Sequence, residues 1–196
     1  MSIAIKHLSK AFDGQPVLVD FSCELPERGV VALMGKSGVG KSTLMSILLG
    51  LLAPDSGEIT GAEALRVSAV FQEDRLIRHL TARQNLSVTT GADRNAIDAA
   101  LSALGLDPEE KKPVKSFSGG MKRRVALARG VLFPADVLLM DEPFRGLDPD
   151  TRARAIRFVL NAWQNRLIIL VTHDEEEARL MGAETIIQMG DNEHER

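Results

Sequence analysis

The residues of this sequence that can do chemistry sit in two glycine-rich stretches and at the polar ends of several short apolar runs. In GKSGVGKST, residues 35–43, Gly35 and Gly40 bracket Lys36, Ser37, Gly38 and Val39, and Lys41, Ser42 and Thr43 follow directly. This is P-loop spacing, in which glycines let successive backbone N–H groups turn inward and the following helix adds partial positive charge at its N-terminus. Such a nest holds phosphate. Lys41 is expected to reach β- and γ-phosphates, Ser42 to ligate Mg²⁺, and Thr43 to add a hydroxyl nearby. In VLLMDEP, residues 137–143, an acidic pair closes an apolar run. Asp141 can then join the Mg²⁺ shell while Glu142 faces the water beyond the γ-phosphate.

Three further residues carry less weight singly. His173 ends the run VTHD, and a lone histidine is more often structural or solvated than catalytic. Gln72 ends AVFQ where the pattern turns helical, so it can couple a bound nucleotide to movement of the helical segment. Phe12, just ahead of a turn, reads as a core aromatic or as a platform for a purine. The second glycine-rich stretch, SFSGGMKRRVALARG at residues 116–130, poses a question, because a chain with one phosphate cradle does not obviously need another. Ser118 can cap a helix there, and Gly119 and Gly120 leave its N–H groups open to an anion. Lys122, Arg123 and Arg124 read as a solvated helix face.

The elements that must position these groups emerge from periodicity. The first thirty-odd residues alternate apolar and polar through SIAIKHLSKAF and PVLVDFSCEL, with a turn at DGQP, which predicts antiparallel strands. VVALMG then stops at Gly35, and KSTLMSILLGLL continues with helical periodicity to Pro54. Strand, glycine loop and helix come in the order a phosphate site requires. RVSAVFQ, DVLLMDEP, RLIILVTHD and ETIIQMG read as buried parallel strands. LTARQNLSV and DRNAIDAALSALGL read as helices, so the expected fold is α/β. Its core is residues 1–72 and 127–196, with an N-terminal antiparallel β subdomain and a helical lobe of about 73–126 inserted.

The chain of 196 residues is 44% hydrophobic, enough for one domain with a real core. A net charge of -3 argues against nucleic acid as a partner, since binding by counterion release needs a basic field. The single cysteine, Cys23, reads as an ordinary strand residue. No signal peptide and no apolar run of about 20 residues is present, which leads us to expect a cytosolic chain or one attached to a membrane through a partner. The polar end GDNEHER is expected to fray.

Taken together and in this order, GKSGVGKST, VFQ, FSGGM, VLLMDEP, RGLD and VTHD resemble the ATP-binding cassette family of ATPases, over nearly the whole chain. The resemblance implies that FSGGM faces the nucleotide held by a second cassette, so that two chains, identical or closely related, sandwich two ATP molecules. It implies that Phe12 stacks on adenine, that Gln72 senses Mg²⁺ and the attacking water, and that His173 contacts the γ-phosphate. It further implies that Glu142 is the catalytic carboxylate, Asp148 communicates across the dimer, and Ser118, Gly119, Gly120 and Met121 meet the partner's ATP. Met121 and Phe117 depart from the commonest signature but occur in the importer branch that SGGMKRRVALAR is similar to.

FQEDRLIRHLTARQNL resembles the lobe opening of importers for nitrate, sulfonate and taurine, and KKPVKS lacks the acidic-glycine loop of exporters. The expected function is therefore the ATP-hydrolysing subunit of an importer, on the cytoplasmic side of the cell membrane. Its partners would be integral membrane permease subunits and an extracytoplasmic solute-binding protein. A soluble cassette ATPase acting as a mechanical switch is the alternative, although no long coiled coil fits in this chain.

Overall fold

A computed structural model describes residues 2–62 and 65–190; of GDNEHER, the end expected to fray, all but Gly190 lies outside the described residues. The alternating N-terminal segment forms β1 (Ile3–Phe12) and β2 (Gln15–Leu25), antiparallel with Ile3 opposite Leu25 and Phe12 opposite Gln15. A third strand, β4 (Ser56–Thr60), adds to the other edge of β1 with Ile5 opposite Ile59. Periodicity does not announce β4, because SGEIT offers one apolar side chain and is held by the edge of β1 rather than by its own burial.

The second sheet is parallel and five-stranded: β3 (Gly29–Met34), β5 (Val67–Val70), β6 (Val137–Asp141), β7 (Leu167–Val171) and β8 (Thr185–Gln188), in the order β5-β6-β7-β3-β8. Side chains leave its central strands alternately. Leu138, Met140, Ile168 and Leu170 enter one apolar cluster, whereas Val137, Leu139, Ile169 and Val171 enter the other. Both faces are covered, which is why β6 and β7 read as unbroken apolar runs. The expectation that ETIIQMG is buried needs correction: β8 is an edge strand with one neighbour, and Ile186 is exposed.

The β1–β2 side of the sheet also receives α1 (Lys41–Leu48), through Leu44, Met45 and Ile47. This helix stops short of Pro54, because Gly50 takes a left-handed φ of 67° and Leu51 is left exposed. The opposite side carries α2 (Ala82–Thr90), α3 (Arg94–Ala103), α4 (Gly119–Leu132) and α5 (Pro149–Ala162). A Thr81–Gln84 capping box starts α2 and the Asp93 carboxylate starts α3, each satisfying N–H groups that a helix end leaves open. α4 runs unbroken from residue 119 to 132. The short α6 (Glu175–Leu180) follows β7, capped by Asp174. Trp163, buried at the end of α5, donates from Nε1 to the Val131 carbonyl at 3.1 Å and so ties α5 to α4. Cys23 lies in β2, where burial pushes its thiol pKa up to about 11, as fits a strand residue rather than a reactive thiol.

Candidate functional site

A cavity of about 700 Å³ opens at the carboxyl ends of the parallel strands, the usual place for a ligand in an open α/β sheet. The 35–40 loop forms one wall. Its glycines are required by geometry: a Cβ on Gly35 would lie 2.5 Å from the Met189 carbonyl oxygen, and one on Gly40 would lie 2.8 Å from that of Val17. Gly40 occupies the N-cap of α1 at φ 100°, with no side chain capping the helix and no acid in its first turn. The open N–H groups and the helix dipole therefore act on the cavity unopposed, which suits an anion. Lys41 Nζ folds over the loop and donates to the Gly35 and Lys36 carbonyls at 2.7 and 2.8 Å.

Opposite the loop, the end of β6 brings in two acids with different surroundings. Asp141 is buried, and desolvation raises its carboxyl pKa against the hydrogen bond that Ser42 Oγ donates at 3.0 Å. A desolvated carboxylate beside a hydroxyl is an incomplete set of hard oxygen ligands, which fits Mg²⁺, an ion that keeps water and phosphate oxygens in its shell. No group of three or more His, Cys, Asp or Glu able to hold a metal occurs among the described residues.

Glu142 is held differently. Its φ of 44° is left-handed, a strained conformation for a side-chain-bearing residue, and its N–H donates to the Val171 carbonyl at 2.9 Å. That twist turns the carboxylate toward three neighbours. Oε1 lies 3.1 Å from His173 Nδ1, and Oε2 lies 3.3 Å from Arg145 Nη1 and 3.5 Å from Gln72 Nε2. A carboxylate so placed, across from a phosphate nest, can orient a water or accept its proton.

The structure thus gathers Gly35, Lys36, Ser37, Gly38, Gly40, Lys41, Ser42, Thr43, Gln72, Asp141, Glu142 and His173 around one cavity. Val17 and Arg145 line it as well and were missed. For Arg145 the signal lay in its position three residues after Glu142, in the turn that Arg145 N–H closes on the Glu142 carbonyl. Phe12 does not line the cavity; it is exposed at the end of β1, with Lys10 Nζ 5.8 Å from its ring centre. The Val39 side chain packs instead into the sheet, among the β1–β2 side cluster.

The second glycine stretch stands apart from this cavity. Ser118 caps α4, its hydroxyl accepting from Met121 N–H at 3.3 Å. A Cβ on Gly119 would meet no atom within 4 Å, and one on Gly120 would make only ordinary contact with Leu147 at 3.5 Å. Neither glycine has a positive φ, so nothing in this chain demands glycine at either position. Asp148 caps α5 by accepting from Thr151 N–H at 3.0 Å, and the hydrogen bonds from Thr151 hold its carboxyl below the ordinary range.

The reading of Lys122, Arg123 and Arg124 as a solvated face is corrected. Arg123 is 4% exposed, and its guanidinium bonds to backbone carbonyls; Arg124 Nη1 donates to the Leu104 and Gly105 carbonyls at 2.9 and 3.0 Å, closing the end of α3. A run of cations carries no sign of which ones the tertiary fold will cover.

Known proteins resemble the chain over most of its length. Residues 18–145 match the family described as ABC transporter. The chain is 38% identical to the taurine import ATP-binding protein TauB of Roseobacter denitrificans, an alignment covering 94% of this chain and 76% of that protein. It is also 38% identical to the aliphatic sulfonates import ATP-binding protein SsuB 1 of Pseudomonas savastanoi pv. phaseolicola, over 92% of this chain and 77% of that one. Among solved structures, a bacterial Atm1-family ABC exporter with ATP bound superposes with a TM-score of 0.84 at 25% identity, over 96% of this chain and 37% of the longer exporter chain.

Proposed function

The chain belongs to the ABC transporter family and is an ATPase, and from that premise we propose that it is the energy-coupling subunit of a bacterial small-solute importer. The observation that carries the proposal is the constellation around one cavity: phosphate nest, Ser42–Asp141 pair, and Glu142 bonded to His173 and Gln72. The loop backbone and Lys41 hold the ATP phosphates. Ser42 and Asp141, together with Gln72, would hold Mg²⁺, which would supply charge neutralisation at the γ-phosphate. Glu142 orients the attacking water or takes its proton, and His173 and Gln72 fix the carboxylate that does so. Phe12, exposed at the end of β1 outside the cavity, would stack on an adenine that reaches beyond it, and Val39 and Thr43 complete the loop.

The second glycine stretch serves a second copy of this chain, or a closely related one. Glycine costs helix stability, and here that cost brings no benefit within the chain. Open N–H groups at Ser118, Gly119 and Gly120 would meet the partner's γ-phosphate, with Met121, whose own N–H is taken by the Ser118 hydroxyl, and Asp148 at the same interface. Residues about 73–126 form the helical lobe and 1–72 with 127–196 the core, joined through α4, which runs unbroken across that boundary. An apolar groove of about 380 Å³, lined by Leu49, Leu51, Phe71, Arg75, Thr89 and Phe133, suits a short helix of a membrane-spanning permease. No helix among the described residues is long and apolar enough to cross a membrane itself. The chain would sit on the cytoplasmic face of the membrane through that permease, with an extracytoplasmic binding protein delivering solute. Import is preferred because the 38% identical relatives are named for import, whereas the exporter shares 25%.

Glu142→Gln is expected to slow hydrolysis by ~10²–10⁴-fold and to trap an ATP-bound dimer detectable by light scattering. A variant that hydrolyses ATP at the parent rate would overturn the role of Glu142. Gentle solubilisation of tagged membranes should recover a multi-span protein; recovery with soluble proteins alone would favour the mechanical-switch alternative.

A further inference from the structure

The Arg123 side chain does not itself line the cavity, yet it bonds to the backbone of two segments whose side chains do. Nε donates to the Pro143 carbonyl at 2.8 Å, and Nη2 to the carbonyls of Asp141, at 3.0 Å, and Glu142. Nη1 donates to the carbonyls of Phe71 and Gln72 at 2.6 and 3.2 Å and lies 3.3 Å from Asp74 Oδ1. All the donors of a planar fork are thus engaged, five of the six acceptors being main-chain oxygens of two loops.

Those loops leave β5 and β6, whose pairing ends at Val70 and Met140. Gln72 and Glu142 therefore project from segments that the β5–β6 ladder no longer holds together, although their side chains must stay within bonding reach. Arg123 bridges that gap. It also lies on α4 five residues beyond the Ser118 cap, about 7.5 Å along the axis at 1.5 Å per residue. We propose that Arg123 is a positioning residue, holding the Gln72 and Glu142 loops in register and linking both to the helix that begins at Ser118. A displacement of α4 would then move the water-orienting groups of this chain's own cavity. The inference rests on Glu142 being the hydrolytic carboxylate, as proposed above.

The test compares Arg123→Gln and Arg123→Lys with the parent. For each, thermal melting gives the folded fraction, a fluorescent ATP analogue gives nucleotide affinity, and steady-state hydrolysis gives kcat per folded molecule. Misplaced catalytic groups lose rate more than binding, so kcat in Arg123→Gln should fall on the order of 10–10²-fold while nucleotide affinity stays within about twofold. Arg123→Lys, with the charge retained but three donors in place of five, should recover part of the rate. If Arg123→Gln does not fold, Arg123→Lys is read in its place. Parental kcat in the folded variant, or a loss of affinity equal to the loss of rate, overturns the inference. Glu142→Gln measured alongside separates the two claims: hydrolysis lost there but intact in the Arg123 variants overturns the role of Arg123 alone, whereas hydrolysis intact in Glu142→Gln overturns the role of Glu142 on which the inference rests.

Discussion

Replacing Gly119 with aspartate should strengthen the fold and disable the enzyme, two outcomes that ordinary loss-of-function variants do not combine. Within the chain the substitution is favourable. A Cβ at position 119 meets no atom within 4 Å, the backbone there is not left-handed, and the first turn of α4 contains no acid. Removing glycine's unfolded-state freedom gains about 0.4–1 kcal/mol, and a carboxylate in the first turn of a helix gains about 0.3–1 kcal/mol. A net gain near 1 kcal/mol should raise the melting temperature by roughly 2–4 °C in a domain of this size. Between chains the same carboxylate would face the partner's phosphate. Two unit charges about 4 Å apart repel by about 4 kcal/mol at an effective dielectric of 20, equivalent to about 10³-fold at each of the dimer's two nucleotide sites, so ATP-driven dimerisation should weaken by at least about 10³-fold. Scanning calorimetry and light scattering at saturating ATP read the two effects separately. A fall in melting temperature would show that position 119 is not open within the chain. An ATP-driven dimer that forms within about twofold of the parent's affinity would refute the facing phosphate, because repulsion of that size cannot be hidden.

Ser42→Ala removes a hydroxyl proposed above to hold Mg²⁺, so the ion concentration needed for half-maximal hydrolysis should rise on the order of 10–100-fold; an unchanged Mg²⁺ titration would place the ion elsewhere. Burial raises the Glu177 carboxyl above its ordinary value and outweighs the hydrogen bond from Thr172. The folded state therefore binds this proton more tightly than the unfolded chain, and the resulting stability, full below the ordinary glutamate range, is lost as pH rises through the raised value. Glu177→Gln should accordingly raise the melting temperature more at neutral pH than in acid, and an equal gain at both would contradict the assignment. Trp163→Ala opens a cavity and strands the Val131 carbonyl, so urea unfolding should report a loss of about 3–5 kcal/mol; a loss below about 1 kcal/mol would mean that α4 and α5 are not joined there.

The local pieces of the site were legible in the sequence because each is a short-range event. Glycine at 35 and 40, a cation and hydroxyl directly after, and an apolar strand ending in Asp141 and Glu142 are patterns whose physics acts within a few residues. The central strands were legible for a related reason, since burial on both faces leaves an unbroken apolar run. β4 was not legible, because a mostly polar five-residue strand is stabilised by the β1 edge it joins. Arg145 was missed because its contact depends on the strained turn at Glu142.

The sequence by itself determined that a phosphate nest, a pair of strand-end acids and a parallel α/β core exist, since periodicity and backbone chemistry are encoded locally. Only the tertiary structure decided which charges are buried and what they hold. It took Arg123 out of an apparently solvated run and set it against five carbonyls from two distant loops. It left Gly119 facing open space. Burial and long-range contact are properties of where elements meet, and a residue's neighbours in sequence carry almost none of that information.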